Sequence, residues 1–117
     1  MSLVAPIAVT LVALLHIGFL ILEMFLWDTP RGRRIFGMTP EQSASSKTLA
    51  ANQGLYNGFL AAGLIWGAIT AVQDVQAFFL VCVIVAGIFG GLTAKRSILY
   101  MQALPGLIAL LVVLFIR

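Results

Sequence analysis

Charge is what this sequence has least of. Lys, Arg, Asp and Glu make up 9% of its 117 residues, where a soluble globular domain carries roughly 25%. With 62% apolar residues, the composition excludes that class. Cysteine occurs once, as Cys82, which rules out an internal disulfide and any CxxC metal or redox motif. Cys82 sits in an apolar run and reads as a buried, inert thiol, since a reactive thiolate needs electropositive surroundings. Histidine also occurs once, as His16. One imidazole is too few for a closed zinc site, so no metal is expected. No basic stretch precedes the first apolar run, and that run reaches Trp27, beyond the about 7–15 residues of a signal-peptide core. It is expected to be a retained spanning helix. The formal charge of +3 comes from cations flanking apolar segments. Membrane topology and anionic headgroups account for it better than nucleic acid does.

Four long apolar segments are present, at about 3–27, 48–72, 77–93 and 97–116. A hydrocarbon core of ~30 Å takes ~20 helical residues to cross. The expected fold is therefore all-α: an integral membrane four-helix bundle, antiparallel and up-down, forming a single domain over 1–117. Pro6 falls in the first helical turn, where its missing N–H costs little. The connection 28–47 is the one long polar segment; Asp28 to Gly32 reads as a turn. Thr39-Pro40-Glu41-Gln42 reads as a helix start, with Thr39 as N-cap, Pro40 at the first helical position and Gln42 closing a capping box. Gln73 to Gln76 reads as a tight turn between antiparallel neighbours. Gly54/Gly58, Gly63/Gly67 and Gly87/Gly91 have the spacing that lets helices approach closely. Pro105 is expected to bend the last span.

Arg31, Arg33, Arg34, Lys47, Lys95 and Arg96 fall on one side of such a bundle; Asp74 and Arg117 fall on the other. The positive-inside rule then places both termini outside, in what is expected to be a bacterial cytoplasmic (inner) membrane.

Within this apolar frame, Asn52-Gln53-Gly54-Leu55-Tyr56-Asn57 is a dense polar run. Hydrocarbon tolerates no unpartnered amide, so these groups must face protein, water or a ligand. Glu23 lies ~6 Å from the Trp27 end of the first span, and Tyr100 and Gln102 lie near the start of the fourth. Polar groups from three spans are thus expected to converge in the cytoplasmic half, with His16 ~10 Å deeper on the Glu23 face. An intramembrane carboxylate is costly and functional by default. The expected catalytic set is Glu23 as acid or base, His16 as proton relay and Tyr56 as hydrogen-bond donor to developing charge. Asn52, Gln53, Asn57, Tyr100, Gln102 and Trp27 are the expected substrate-binding set. Each amide or phenol also has a structural reading, tying helices together for ~0.6–2 kcal/mol per pair. The sequence names no cofactor.

His16, Glu23-Met24-Phe25-Leu26-Trp27, Phe36, the run Ala51 to Ala61, Gln102 and Pro105 together resemble the small bacterial and fungal membrane proteins of domain of unknown function family 1304. The likeness covers nearly the whole chain and implies a four-span membrane protein, without bringing an activity. Gln53-x-x-Tyr56-Asn57 is similar in a weaker way to the second-helix motif of the membrane-associated proteins of eicosanoid and glutathione metabolism. That likeness implies trimers with a site between subunits. That family has glutamate where this chain has Tyr56, and arginines and a histidine that are missing here, which weighs against glutathione activation.

Three functions fit these residues: a membrane enzyme or binder for a lipophilic small molecule at the inner leaflet, a proton-coupled small-molecule transporter with Glu23 as coupling group, or a non-catalytic helper packed on a larger partner. The partners expected are the lipid bilayer, a lipophilic small molecule and further copies of the chain.

Overall fold

A computed structural model describes residues 2–116, so the outer charge assigned to Arg117 lies outside the described residues. Every regular element among them is helical: α1 (Val4–Met24), α2 (Pro30–Phe36), α3 (Pro40–Thr70), α4 (Gln73–Thr93), a π-helical turn (Leu99–Ala103) and α5 (Leu104–Phe115). Two of them, α1 and α4, are long and apolar enough to cross a membrane; the run Leu99–Phe115 is apolar but shorter. The chain gathers into two compact units, one made of residues up to Leu14 with those from Leu60 onward, the other of Leu15–Phe59. α1 and α3 pass through both.

In the larger unit, Val9, Val12 and Ala13 of α1, Leu64 of α3, Leu80 and Val83 of α4, and Ala109 and Val113 of α5 form one core. Small residues set the spacing. A Cβ on Gly87 would lie 2.5 Å from the Ala103 backbone nitrogen, and one on Gly106 would lie 2.9 Å from Val83 Cγ1. These pairings run in opposite directions along the chain, so α4 and α5 are antiparallel. Gly63 likewise leaves room for the Phe79 ring and Gly67 for Gln76. Two amides tie this unit: Gln76 Nε2 donates to the Gly67 carbonyl at 2.9 Å and Gln73 Nε2 to that of Val113 at 3.1 Å.

The structure departs from the sequence expectation in four places. First, there are five α-helices among the described residues, because the polar connection holds α2. Thr29 caps it, its hydroxyl accepting from the Gly32 N–H at 3.2 Å, Pro30 opens it, and Gly37 closes it in the left-handed region at φ 64°. The expected turn at Asp28–Gly32 is this helix start. Second, α1 ends at Met24 rather than Trp27. Third, Gln73–Gln76 is the first turn of α4, and the reversal is made by Ala71 and Val72, with Ala71 at φ 57°. Fourth, the last apolar segment opens with a π-turn. Pro105 has no N–H for the ladder and its ring crowds the carbonyl one turn back; Leu104 N–H instead bonds the Leu99 carbonyl, and the wider turn absorbs the break. The capping box on α3 is as read: Thr39 N–H donates to Gln42 Oε1 at 2.9 Å, and Gln42 N–H to Thr39 Oγ1 at 3.1 Å.

Candidate functional site

The smaller unit is built on the approach of α3 to α1. A Cβ on Gly54 would meet Met24 Cγ at 2.6 Å, Glu23 Cβ at 3.1 Å and the Leu20 carbonyl at 3.2 Å; one on Gly58 would meet Leu20 Cδ1 at 2.8 Å. Glycine at both positions lets the two backbones lie close. Ala50, Gly54 and Asn57 recur at three- and four-residue intervals, share one stripe of α3 and are all buried. Asn57 is the polar member of that stripe. Its Nδ2 donates to Glu23 Oε1 at 2.5 Å, and no ion pair reaches Glu23 among the described residues. A half-buried carboxyl from one apolar helix is thus held by a buried carboxamide from another.

Towards the chain ends of these helices, a knot of polar contacts caps the pair. Trp27 Nε1 donates to Ser46 Oγ at 2.9 Å, and the indole packs on Phe36 with ring centres 4.7 Å apart. Asp28 Oδ1 accepts from Ser43 Oγ at 2.6 Å and from Arg33 Nη1 at 3.0 Å. The Ser43 hydroxyl is the largest influence holding the Asp28 carboxyl below its ordinary range; burial opposes it, and the Arg33 and Lys47 charges reinforce it. Gly32 is buried here, and a side chain on it would run into the Leu26 carbonyl. In the other direction along α1, His16 is fully buried and meets Phe19 edge-on at 5.2 Å; seven residues from Glu23, it shares that face of the helix.

Of the residues singled out in the sequence, the structure brings Glu23 and Asn57 into direct contact. Asn52, Gln53 and Tyr56 lie elsewhere on the circumference of α3 and are exposed, the Tyr56 ring leaning edge-on against Phe59 at 5.8 Å. Trp27 belongs to the capping knot. Tyr100 and Gln102 stand on the π-turn of the other unit, Tyr100 exposed and Gln102 half-buried. Sequence reasoning missed Asp28, Ser43 and Ser46 as partners, because each contact joins residues fifteen or more positions apart. It also missed Gln76, whose burial nine residues from its acceptor is visible only once the α3–α4 hairpin is placed.

Fold and geometry define an all-helical protein with two helices of membrane-crossing length and a carboxyl–carboxamide pair fixed between α1 and α3. Residues 10–114 match the family described as Protein of unknown function (DUF1304), and the chain belongs to that family. It is 30% identical over 115 residues to the uncharacterized protein YpaA of Lactococcus lactis, an alignment covering 95% of this chain and 97% of that one. No solved structure matches it.

Proposed function

We propose that the chain is an integral membrane protein of four antiparallel spans, carried by α1, α3, α4 and the π-turn with α5. In this reading both termini lie outside a bacterial cytoplasmic membrane, and the Glu23–Asn57 pair is the centre of a site for a lipophilic small molecule. Support for the spans comes from where the apolar surface looks. Only 28% of the most apolar stretch of α1 and 22% of that of α4 is buried. A core helix of a water-soluble protein has the opposite balance, and so much outward apolar surface needs lipid or protein against it. Arg31, Arg34, Lys47, Lys95 and Arg96 are all exposed and fall at the same ends of the proposed spans, which supports the orientation.

The observation that carries the site is the hydrogen bond from Asn57 to Glu23. Asn57 does not titrate, so it orients the carboxyl by occupying one oxygen. The other oxygen remains for a donor on a ligand, or for a proton in transit. An apolar molecule with one polar group, entering from the inner leaflet, would meet that carboxyl among apolar walls. His16, on the same face of α1, is the second proton-handling group. The pair can therefore bind such a molecule or move a proton on it as a membrane enzyme.

Native mass spectrometry of the full chain, extracted in mild detergent or lipid discs, tests this. The expected result is a lipophilic small molecule travelling with the natural chain, weakened by Glu23→Gln and lost with Glu23→Leu. A ligand-free protein from every mild extraction, or a ligand held equally well by Glu23→Leu, would sink the reading.

A further inference from the structure

Gln76, in the larger unit, has one polar atom that the fold does not use. The residue is 4% exposed. Its stem is clamped where α4 packs on α3: a Cβ on Gly67 would lie 2.9 Å from Gln76 Cγ and 3.2 Å from its backbone nitrogen. Nε2 donates to the Gly67 carbonyl at 2.9 Å. That bond fixes which end of the carboxamide is which, because a flipped amide would set oxygen against oxygen. Oε1 is therefore an acceptor only, and no described residue donates to it. Among the described residues, no polar side-chain atom shut off from solvent lacks a partner. Oε1 is thus reachable, through the cavity that Gln76 lines.

That cavity measures about 510 Å³, within the roughly 300–1,000 Å³ of small-molecule sites. Leu3, Pro6, Ala71 and Val113 wall it around Gln76 and Ser2, and no ionisable side chain among the described residues lines it. Ser2 Oγ accepts the Val4 N–H at 3.0 Å. Pro6 also borders a groove of about 300 Å³ along α1 and α3, lined by Ile7, Leu11, Ala68 and Ile69. Thr10, the polar residue of that groove, spends its hydroxyl proton on the Pro6 carbonyl at 2.7 Å. A polar-ended cavity and an apolar groove therefore meet at one proline.

We propose that cavity and groove together bind a neutral single-chain lipid with a hydroxyl head, of the monoacylglycerol class. The head hydroxyl donates to Gln76 Oε1, and the chain lies along the groove past Pro6. Each feature of the ligand answers one of the site. The fixed acceptor calls for a donor. Walls without an ionisable group leave a charged head unpaired, so the donor is a hydroxyl and not an ammonium. One groove leaves the cavity, so there is one chain. The membrane reading above supplies the route, from the outer leaflet.

The test is titration of the full chain in mild detergent, read by native mass spectrometry. Monooleoylglycerol is compared with methyl oleate, which keeps the chain and lacks the donor. The natural chain is expected to bind the first roughly tenfold more tightly, since methyl oleate buries Oε1 unpaired. Gln76→Met keeps a stem of similar length without the acceptor and should bring the two affinities together. Because each protein is its own reference, a general loss of stability does not mimic that result. Leu3→Trp, on the exposed edge of the cavity, should block both ligands with the helical circular dichroism unchanged. Glu23→Leu should leave both affinities as they are. The proposal is overturned by a natural chain that binds no monooleoylglycerol or binds both ligands equally, by a preference that persists in Gln76→Met, or by binding indifferent to Leu3→Trp. Binding lost with Glu23→Leu also overturns it, and in that case the lipid sits at Glu23 and the reading of that site stands alone.

Discussion

Asn57 donates to the carboxyl of Glu23 from the one stripe of α3 that lies against α1. The Glu23 carboxyl is half-buried, and losing its donor should cost up to about 1–3 kcal/mol, the penalty of a fully buried group. Asn57→Leu should therefore lower the unfolding free energy by up to that much, read by circular dichroism in a mixed-detergent titration. Glu23→Gln keeps a carbonyl oxygen where the carboxyl oxygen stood and should change stability by less than about 1 kcal/mol. Combining Asn57→Leu with Glu23→Leu should cost less than the sum of the two singles, since the second change removes the orphan left by the first.

The contact exists because Gly54 has no side chain. A Cβ there would sit 2.6 Å from Met24 Cγ and 3.1 Å from Glu23 Cβ, whereas one on Gly18 would meet nothing within 4 Å. Overpacking of this kind costs about 1–3 kcal/mol. Gly54→Val should show that loss and, by separating the helices, should also weaken the small-molecule binding proposed at Glu23. Gly18→Ala should be neutral or stabilising by up to about 1 kcal/mol, from reduced freedom of the unfolded chain. The two variants measured side by side separate close approach from a general intolerance of change.

How much of this was legible beforehand depends on which signals are local. Thr39-Pro40 with Gln42 announces a helix start, and the capping box forms as read. Thr29-Pro30 is the same signature, but the three arginines and Gly32 around it read as a turn, and α2 was overlooked. The signal was present; composition overrode it. The inward position of Asn57 was also available. Gly54 marks the face where another helix comes close, and Asn57 is three residues on from it, while Asn52 and Tyr56 are not on that stripe. Treating the polar run as one broad face hid that distinction. The knot around Asp28 was not legible at all, because Ser43 returns to it only after α2 has reversed the chain.

The reversal between α3 and α4 stores a small strain. Ala71 sits at φ 57°, a left-handed conformation that costs an L-residue with a Cβ roughly 1–2 kcal/mol. Glycine adopts it freely but loses more freedom on folding. Ala71→Gly should therefore stabilise the chain by up to about 1 kcal/mol, and Ala71→Val, with a branched Cβ, should destabilise it by more than that. Thermal unfolding of the two variants in one detergent gives the sign directly. A stabilising valine would mean that the turn relaxes to another conformation.

Asp28 gives the capping knot a pH dependence whose sign follows from its partners. The Ser43 hydroxyl, foremost, and then the Arg33 and Lys47 charges favour the ionised carboxyl. Its folded pKa is thus below that of the unfolded chain. The stabilisation is complete above the ordinary aspartate value of about 4 and is lost as pH falls through the folded value. Asp28→Asn should melt lower than the natural chain at pH 7, and the gap should close on acidification below about pH 4. Comparing the two chains cancels the titration of the other acids. Ser43→Ala removes the leading stabiliser of the charge, so in that background the gap at pH 7 should be smaller and should finish closing at a higher pH. A gap that persists after full protonation would mean that asparagine disturbs the packing of Arg33 and Ser43, not the charge they hold.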